Sequence, residues 1–148
     1  MKARNLASPR ETLRTDDPAS EAARILSRHD VRAILVVDPS GEFAGVISDS
    51  ELLRSLLPPY LEENESLVRV IEESAAEALY RRLEGRTVAD LMPKDRDDQP
   101  VVNGDDTLIE VASAMVRSRA SLVGVLDGGR LIGGVAIEDL VTHLLRKR

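Results

Sequence analysis

The sequence predicts an α/β protein built from two β-α-β-β-α units packed around a pseudo-two-fold axis, with a helical insertion between them. Three observations carry that prediction. Two stretches of the chain repeat one another at a constant separation of 89 residues: Asp17/Asp106, Glu21/Glu110, Ala23/Ala112, Arg28/Arg117, Val36/Val125 and Asp38/Asp127. After a one-residue deletion in a turn the separation becomes 88, through Gly41/Gly129, Gly45/Gly133, Leu52/Leu140, Leu56/Leu144 and Leu57/Leu145. Identity at helix starts, strand ends and glycine turns is the mark of a duplicated structural unit. The apolar residues are aliphatic: the aromatic share is 2% against 43% hydrophobic, so Leu, Val, Ile and Ala must build the core. Two copies favour a closed pair over a solenoid, and a cleft between them is the first place to look for function.

Each repeat gives the same signals in the same order. In the first, residues 12–15 read as a strand, and Asp17-Pro18 as a helix N-cap followed by proline at the first helical position. Ala22, Ala23, Ile25 and Leu26 then follow helical spacing. The runs Ala33–Val37 and 43–47 flank the turn Asp38-Pro39-Ser40-Gly41 and read as a hairpin. A helix from Ser50 closes the unit. In the second, Val101-Val102 reads as a short strand and Thr107 to Glu110 as a capping box. Leu108, Val111, Ala112, Met115 and Val116 form the buried face of the helix that follows. The runs 122–126 and 131–135 flank Asp127-Gly128-Gly129-Arg130, and a helix starts at Ile137. Continuous apolar runs imply strands covered on both faces. A strand, a crossover helix and a second strand make a parallel pair, to which the hairpin adds an antiparallel strand.

The first repeat is assigned to residues 1–57, the insertion to 58–86 and the second repeat to 87–148, the whole forming one two-repeat module. Pro58-Pro59 ends the first repeat, and Asn64 caps an amphipathic helix over 64–83 that Gly85 stops. Thr87-Val88-Ala89-Asp90-Leu91-Met92-Pro93 leads into the second repeat. Arg4-Asn5-Leu6-Ala7-Ser8-Pro9, a faint echo of it, leads into the first.

Composition excludes several functions. There is no cysteine, which removes disulfides, thiolate catalysis and Cys-ligated zinc. A net charge of −6 argues against nucleic acid as the main partner. No stretch reaches transmembrane length and no signal peptide stands at the start, so a cytoplasmic location without membrane attachment is expected. His29 and His143 lack metal-ligand spacing, and Asp95-Arg96-Asp97-Asp98 reads as an acidic linker. Arg146-Lys147-Arg148 reads as a solvated helix end. No nucleophile–base arrangement and no phosphate-binding glycine motif is present, and neither a catalytic residue nor a metal site is assigned.

With these features in place, the chain resembles a tandem pair of cystathionine-β-synthase (CBS) domains of the small stand-alone bacterial type. The resemblance rests on the tandem repeat and on Val-x-Asp-Leu-Met-Pro at 88–93. A Val-Val-Asp-x-x-Gly-x-x-x-Gly hairpin and a Gly-apolar-apolar-Ser/Thr-x-x-Asp element closing each copy add to it. It implies a non-enzymatic regulatory module binding AMP, ADP, ATP or S-adenosylmethionine in the cleft between the repeats. In such proteins the Asp of the closing element holds the ribose hydroxyls, the Ser/Thr contacts ribose or phosphate, and apolar backbone sandwiches the base. A carboxylate accepts two hydroxyl hydrogen bonds at once. No cofactor is required. The resemblance also implies a homodimer, using helices around residues 52–57 and 140–145, and an unidentified regulated protein.

Both copies depart from the closing element. The first reads Gly45-Val46-Ile47-Ser48-Asp49-Ser50-Glu51, keeping the hydroxyl and replacing the Asp by Glu, with Asp49 as a nearby carboxylate. The second reads Gly133-Gly134-Val135-Ala136-Ile137-Glu138-Asp139, keeping the Asp and losing the hydroxyl. By resemblance, Ser48, Glu51 and Asp49 form one half-site with Thr12, Leu13 and Ala33. Asp139 forms the other with Val101, Val102 and Leu122. An adenosine ligand is expected to favour the Asp139 side, because bonds to a charged group are the stronger. The alternative is a ligand-free dimerisation module with degenerate sites, in which Ser48 is simply an N-cap and Asp139 a first-turn acid.

Overall fold

Both halves of the chain close their cores with the same strand order and the same irregularity. A computed structural model describes residues 1–57, 77, 80–93 and 98–146. The first half contains α1 (Ala3–Leu6), β1 (Thr12–Arg14), α2 (Ala19–Leu26), β2 (Ala33–Val37), β3 (Phe43–Ser48) and α3 (Asp49–Leu56). The second contains α4 (Val88–Leu91), β4 (Val101–Asn103), α5 (Leu108–Ser118), β5 (Leu122–Asp127), β6 (Arg130–Ala136) and α6 (Ile137–Arg146). Two three-stranded sheets result, ordered β1-β2-β3 and β4-β5-β6, each with a parallel pair and an antiparallel hairpin. The register slips at equivalent places, between Val36 and Val37 and between Val125 and Leu126. The expected helix at 64–83 lies almost wholly outside the described residues, as do 95–97 of the acidic linker and Lys147-Arg148. At its far end, Leu83 is buried and Gly85 has φ +74°.

Asp17 does a different job from the capping expected of it, and Asp106 shares that job. α2 begins after Pro18 with no side-chain cap. Asp17 instead accepts the Arg14 N–H at 2.8 Å, while its own N–H donates to the Arg14 carbonyl at 3.1 Å. Asp106 does the same with Asn103, at 2.9 and 3.0 Å. The duplicated Asp is therefore a clasp on the turn that leaves the first strand of each repeat. Capping of α5 is as expected: Thr107 Oγ1 accepts the Glu110 N–H at 3.2 Å.

The short helix ahead of each repeat packs on the other repeat. Ala3 N–H donates to the Asp106 carbonyl at 2.8 Å and Arg4 N–H to that of Gly104 at 3.0 Å. Equivalently, Val88 N–H donates to Asp17 at 2.9 Å and Ala89 N–H to Thr15 at 3.0 Å. Ala3 joins the core of Val102, Val111, Met115, Val123, Val125, Val135 and Leu140. Val88 and Leu91 join that of Ile25, Leu26, Ile34, Val36, Ile47 and Leu52. Each such buried Val or Leu contributes about 1.5–3 kcal/mol. Arg4 and Lys2 also reach Asp105 and hold its carboxyl below the usual carboxylate range.

Two glycines permit the exchange. Ser8 pairs with Gly134 through reciprocal backbone bonds of 3.0 and 3.1 Å. A Cβ on the adjacent Gly133, whose φ is +155°, would stand 2.7 Å from the Ser8 carbonyl oxygen. At the equivalent Gly45, φ +153°, it would meet the terminal methyl of Met92 at 2.5 Å. A third cluster, Leu35, Val46, Leu122 and Ala136 with Ala33, Phe43 and Leu131, joins the repeats face to face. Phe43 packs against Gly124, the counterpart of Leu35, where a Cβ would come within 2.7 Å of its ring.

Gly133→Ala must strain the backbone and push on another backbone atom, so urea unfolding should show a loss of about 3 kcal/mol or more. Gly45→Ala meets only the end of a flexible side chain and should cost less, about 1–2 kcal/mol. Equal losses would mean that the Ser8–Gly134 crossing does not constrain the fold.

Candidate ligand cleft between the repeats

A cavity of about 320 Å³ opens where the two sheets meet. One wall is Pro9, Arg10 and Glu11, the segment running from α1 into β1, together with Asp30 to Ala33 at the start of β2. The other is Ser121 and Leu122 at the start of β5, with Ala136 and Glu138 at the junction of β6 and α6. That junction is tied to the start of β5 by backbone: Ile137 N–H donates to the Ser121 carbonyl at 2.8 Å, as Asp49 N–H does to Arg32 at 2.9 Å on the pseudo-symmetric side.

Asp139, in the first turn of α6, is not itself among the lining residues but is bonded to two that are, Arg10 and Ala136. Its Oδ2 accepts the Ala136 N–H at 3.3 Å and receives Nη2 of Arg10, forming a half-buried ion pair between the repeats. The Arg10 Nε is buried and has no hydrogen-bond partner. Glu11 is drawn the other way, to Arg28 at 2.7 Å. Arg32 makes no ion pair among the described residues and adds a second cation to the lining.

The other residues proposed from sequence distribute unevenly. Leu122 and Ala33 line the cavity from opposite repeats. Val102 is buried in the core of its own repeat, and Leu13 packs half-buried against the first core. Val101 pairs with Gly124 across the sheet. These three serve the strands and are not among the lining. Thr12 is exposed and donates its hydroxyl to the Arg10 carbonyl at 3.0 Å. Ser48 caps α3: its Oγ accepts the Glu51 N–H at 3.3 Å and stands 3.1 Å from Glu51 Oε1 and 3.0 Å from Ser50 Oγ. Asp49 is exposed and accepts the Ser50 N–H at 2.8 Å. Ser48, Asp49 and Glu51 thus come together at one helix start.

Sequence reasoning missed Arg10, which belongs to no motif. The signal lies in the sheet register. Leu35 N–H donates to the Glu11 carbonyl at 3.0 Å and Gly124 N–H to that of Pro100 at 2.9 Å. Glu11 and Pro100 are therefore equivalent, which makes Gln99 the counterpart of Arg10 and Glu51 the counterpart of Asp139. Among the described residues no group of three metal-ligating side chains occurs, and no helix is long and apolar enough to cross a membrane.

Comparison with known proteins agrees with this architecture. The CBS domain model matches residues 3–58 and 88–146. The chain belongs to the CBS-domain family, as a tandem pair. It is similar to a CBS domain-containing protein of unknown function from Kribbella flavida, with 34% identity and a TM-score of 0.83 over 98% of this chain and 99% of that one. The CBS domain of a membrane protein from Sphaerobacter thermophilus shares 28% identity, with a TM-score of 0.69 over 96% of this chain and 86% of that one. CBSX2, known from Arabidopsis thaliana and solved in complex with AMP, shares 23% identity in that complex, with a TM-score of 0.68 over 99% and 98% of the two chains. A comparison with curated proteins finds no match.

Proposed function

We propose that this chain is a cytoplasmic regulatory module that binds an adenosine-containing ligand in the cleft between its repeats and changes its association with a partner protein. The supporting observation is the juxtaposition of the 320 Å³ cavity with the Asp139 carboxylate at the start of α6. That carboxylate can accept both ribose hydroxyls, Ala33 and Leu122 offer apolar walls to a base, and Arg10 and Arg32 suit a phosphate. The AMP complex of CBSX2 supports the same class of ligand. AMP, ADP, ATP and S-adenosylmethionine are the candidates. The module carries no catalytic step: a ligand acts by preferring one of two conformations.

A ligand-free dimerisation module is the second reading. Its support is that Ser48 and Asp139 are already occupied, one as an N-cap and the other in an ion pair. Thermal unfolding in the presence of each ligand decides between them, since a ligand that binds only the folded state raises the melting temperature by mass action. An upward shift with at least one ligand is expected. Asp139→Ala should weaken that ligand about tenfold or more and Ser48→Ala by less. No shift with any of the four would favour the ligand-free module.

Either reading includes a homodimer. α6 leaves Ile137, Val141, Leu144 and Leu145 exposed, α3 leaves Leu53, and α5 leaves Ile109 and Val116 at 73% and 78% exposure, so Val116 faces outward and not into the buried face expected of it. Leu52 and Leu140 of the helices named above point into their own cores instead. Apolar residues at such density on neighbouring helices mark an association surface. Light scattering at micromolar concentration should give a dimer that Val141→Glu with Leu144→Glu converts to monomer. A monomeric unmutated protein would remove the dimer.

A further inference from the structure

We infer that Arg10 is a specificity-determining residue: it occupies Asp139 until a phosphate-bearing ligand gives it another anion, so the cleft selects nucleotides over neutral nucleosides. This rests on the adenosine-ligand reading above and narrows it to phosphorylated ligands.

The Arg10 guanidinium and the Asp139 carboxylate are joined across the repeats with side-chain exposures of 30% and 40%. A ribose that takes both oxygens of Asp139 competes with Arg10 for Oδ2, which already receives the guanidinium and the Ala136 N–H. The Arg10 backbone stays in the wall of the cleft, because it is anchored on both sides. Ser8 is bonded to Gly134 two residues earlier, and the Arg10 carbonyl accepts the Thr12 hydroxyl. Displaced, the guanidinium would lose that partner with Nε already buried and unpartnered, and of the other carboxylates lining the cavity neither Asp30 nor Glu138 is paired with it in the structure. Glu11 is committed to Arg28. Stranding a charged donor carries a desolvation cost that the incoming ligand must offset.

Ligands differ in how they meet that cost. A phosphate offers a guanidinium the paired acceptors for which its planar fork is shaped. A neutral nucleoside offers none, and a sulfonium adds a like charge. The ion pair therefore penalises every ribose ligand equally, and only a phosphate recovers the loss. On the opposite side of the pseudo-axis the neutral Gln99 stands in the place of Arg10. That neutral side chain at an equivalent backbone position also identifies Arg10→Gln as a variant the fold accommodates.

Isothermal titration with adenosine and with AMP tests the inference on the unmodified chain, Arg10→Gln and Arg10→Lys. Arg10→Gln should bind adenosine about fivefold more tightly, as a half-exposed ion pair no longer competes. It should bind AMP about tenfold more weakly, as the phosphate loses a charged donor. Arg10→Lys should keep the preference for AMP. A purely structural arginine would move both affinities in one direction. Adenosine binding that Arg10→Gln weakens or leaves unchanged, while AMP still binds the unmodified chain, overturns this inference and leaves the adenosine reading standing. Failure of both ligands to bind either the unmodified chain or Arg10→Gln overturns this inference, and failure of ADP, ATP and S-adenosylmethionine as well overturns that reading.

Discussion

Each repeat is incomplete without a segment that lies outside it in sequence. α1 closes the core of the second repeat and α4 closes that of the first, through equivalent backbone bonds to the turns clasped by Asp106 and Asp17. The consequence is a fold in which neither half can be removed without opening the other. It also fixes what lies between them. The chain leaving α1 must pass Gly133 at van der Waals distance before it reaches β1, and in doing so it lays Pro9, Arg10 and Glu11 along one wall of the cleft. The position of the candidate site follows from this crossing and not from any motif.

The same crossing breaks the symmetry that duplication created. Backbone hydrogen bonds in the two halves correspond almost one for one, down to the slipped register opposite Gly45 and Gly133. Side chains at equivalent places do not. Arg10 faces Asp139, whereas Gln99 and Glu51 hold the matching positions. Leu35 fills its place in the joint between the sheets, whereas Gly124 leaves room there for the Phe43 ring. A repeat that keeps its scaffold and varies its polar cleft residues can retain stability while one half-site specialises, because the buried residues of the two larger aliphatic cores lie away from the cleft.

Much of the scaffold was legible in the sequence because it repeats. Ala33–Val37 is the observed β2, and the hairpins, the closing helices and the N-cap at Thr107 stand where periodicity and turn chemistry put them, although Glu110 bonds the Thr107 hydroxyl and not its N–H. The role of Asp17 was misread, because an Asp before Pro and a helical pattern is a cap by local rules, whereas a backbone N–H three residues earlier claims the carboxylate. The exchange of α1 and α4 was invisible, since a four-residue helix gives no periodicity and its partner lies far away in sequence. Of the candidate site, the apolar walls Ala33 and Leu122 and the neighbouring acid Asp139 were expected by resemblance. Arg10 was not, because an isolated arginine at a loop-to-strand junction carries no pattern. Val102 and Leu13 illustrate the converse: strand residues near a site in sequence turned inward, as the alternation of a buried strand demands.

The central claim is that the exchanged helices make the two repeats one cooperative unit. Native-state hydrogen exchange on the unmodified chain tests it directly. The most protected amides of β2 and of β5 should report the same opening free energy, equal to that of global unfolding. A difference of more than about 1 kcal/mol between the two strands, with one repeat opening while the other stays closed, would contradict it.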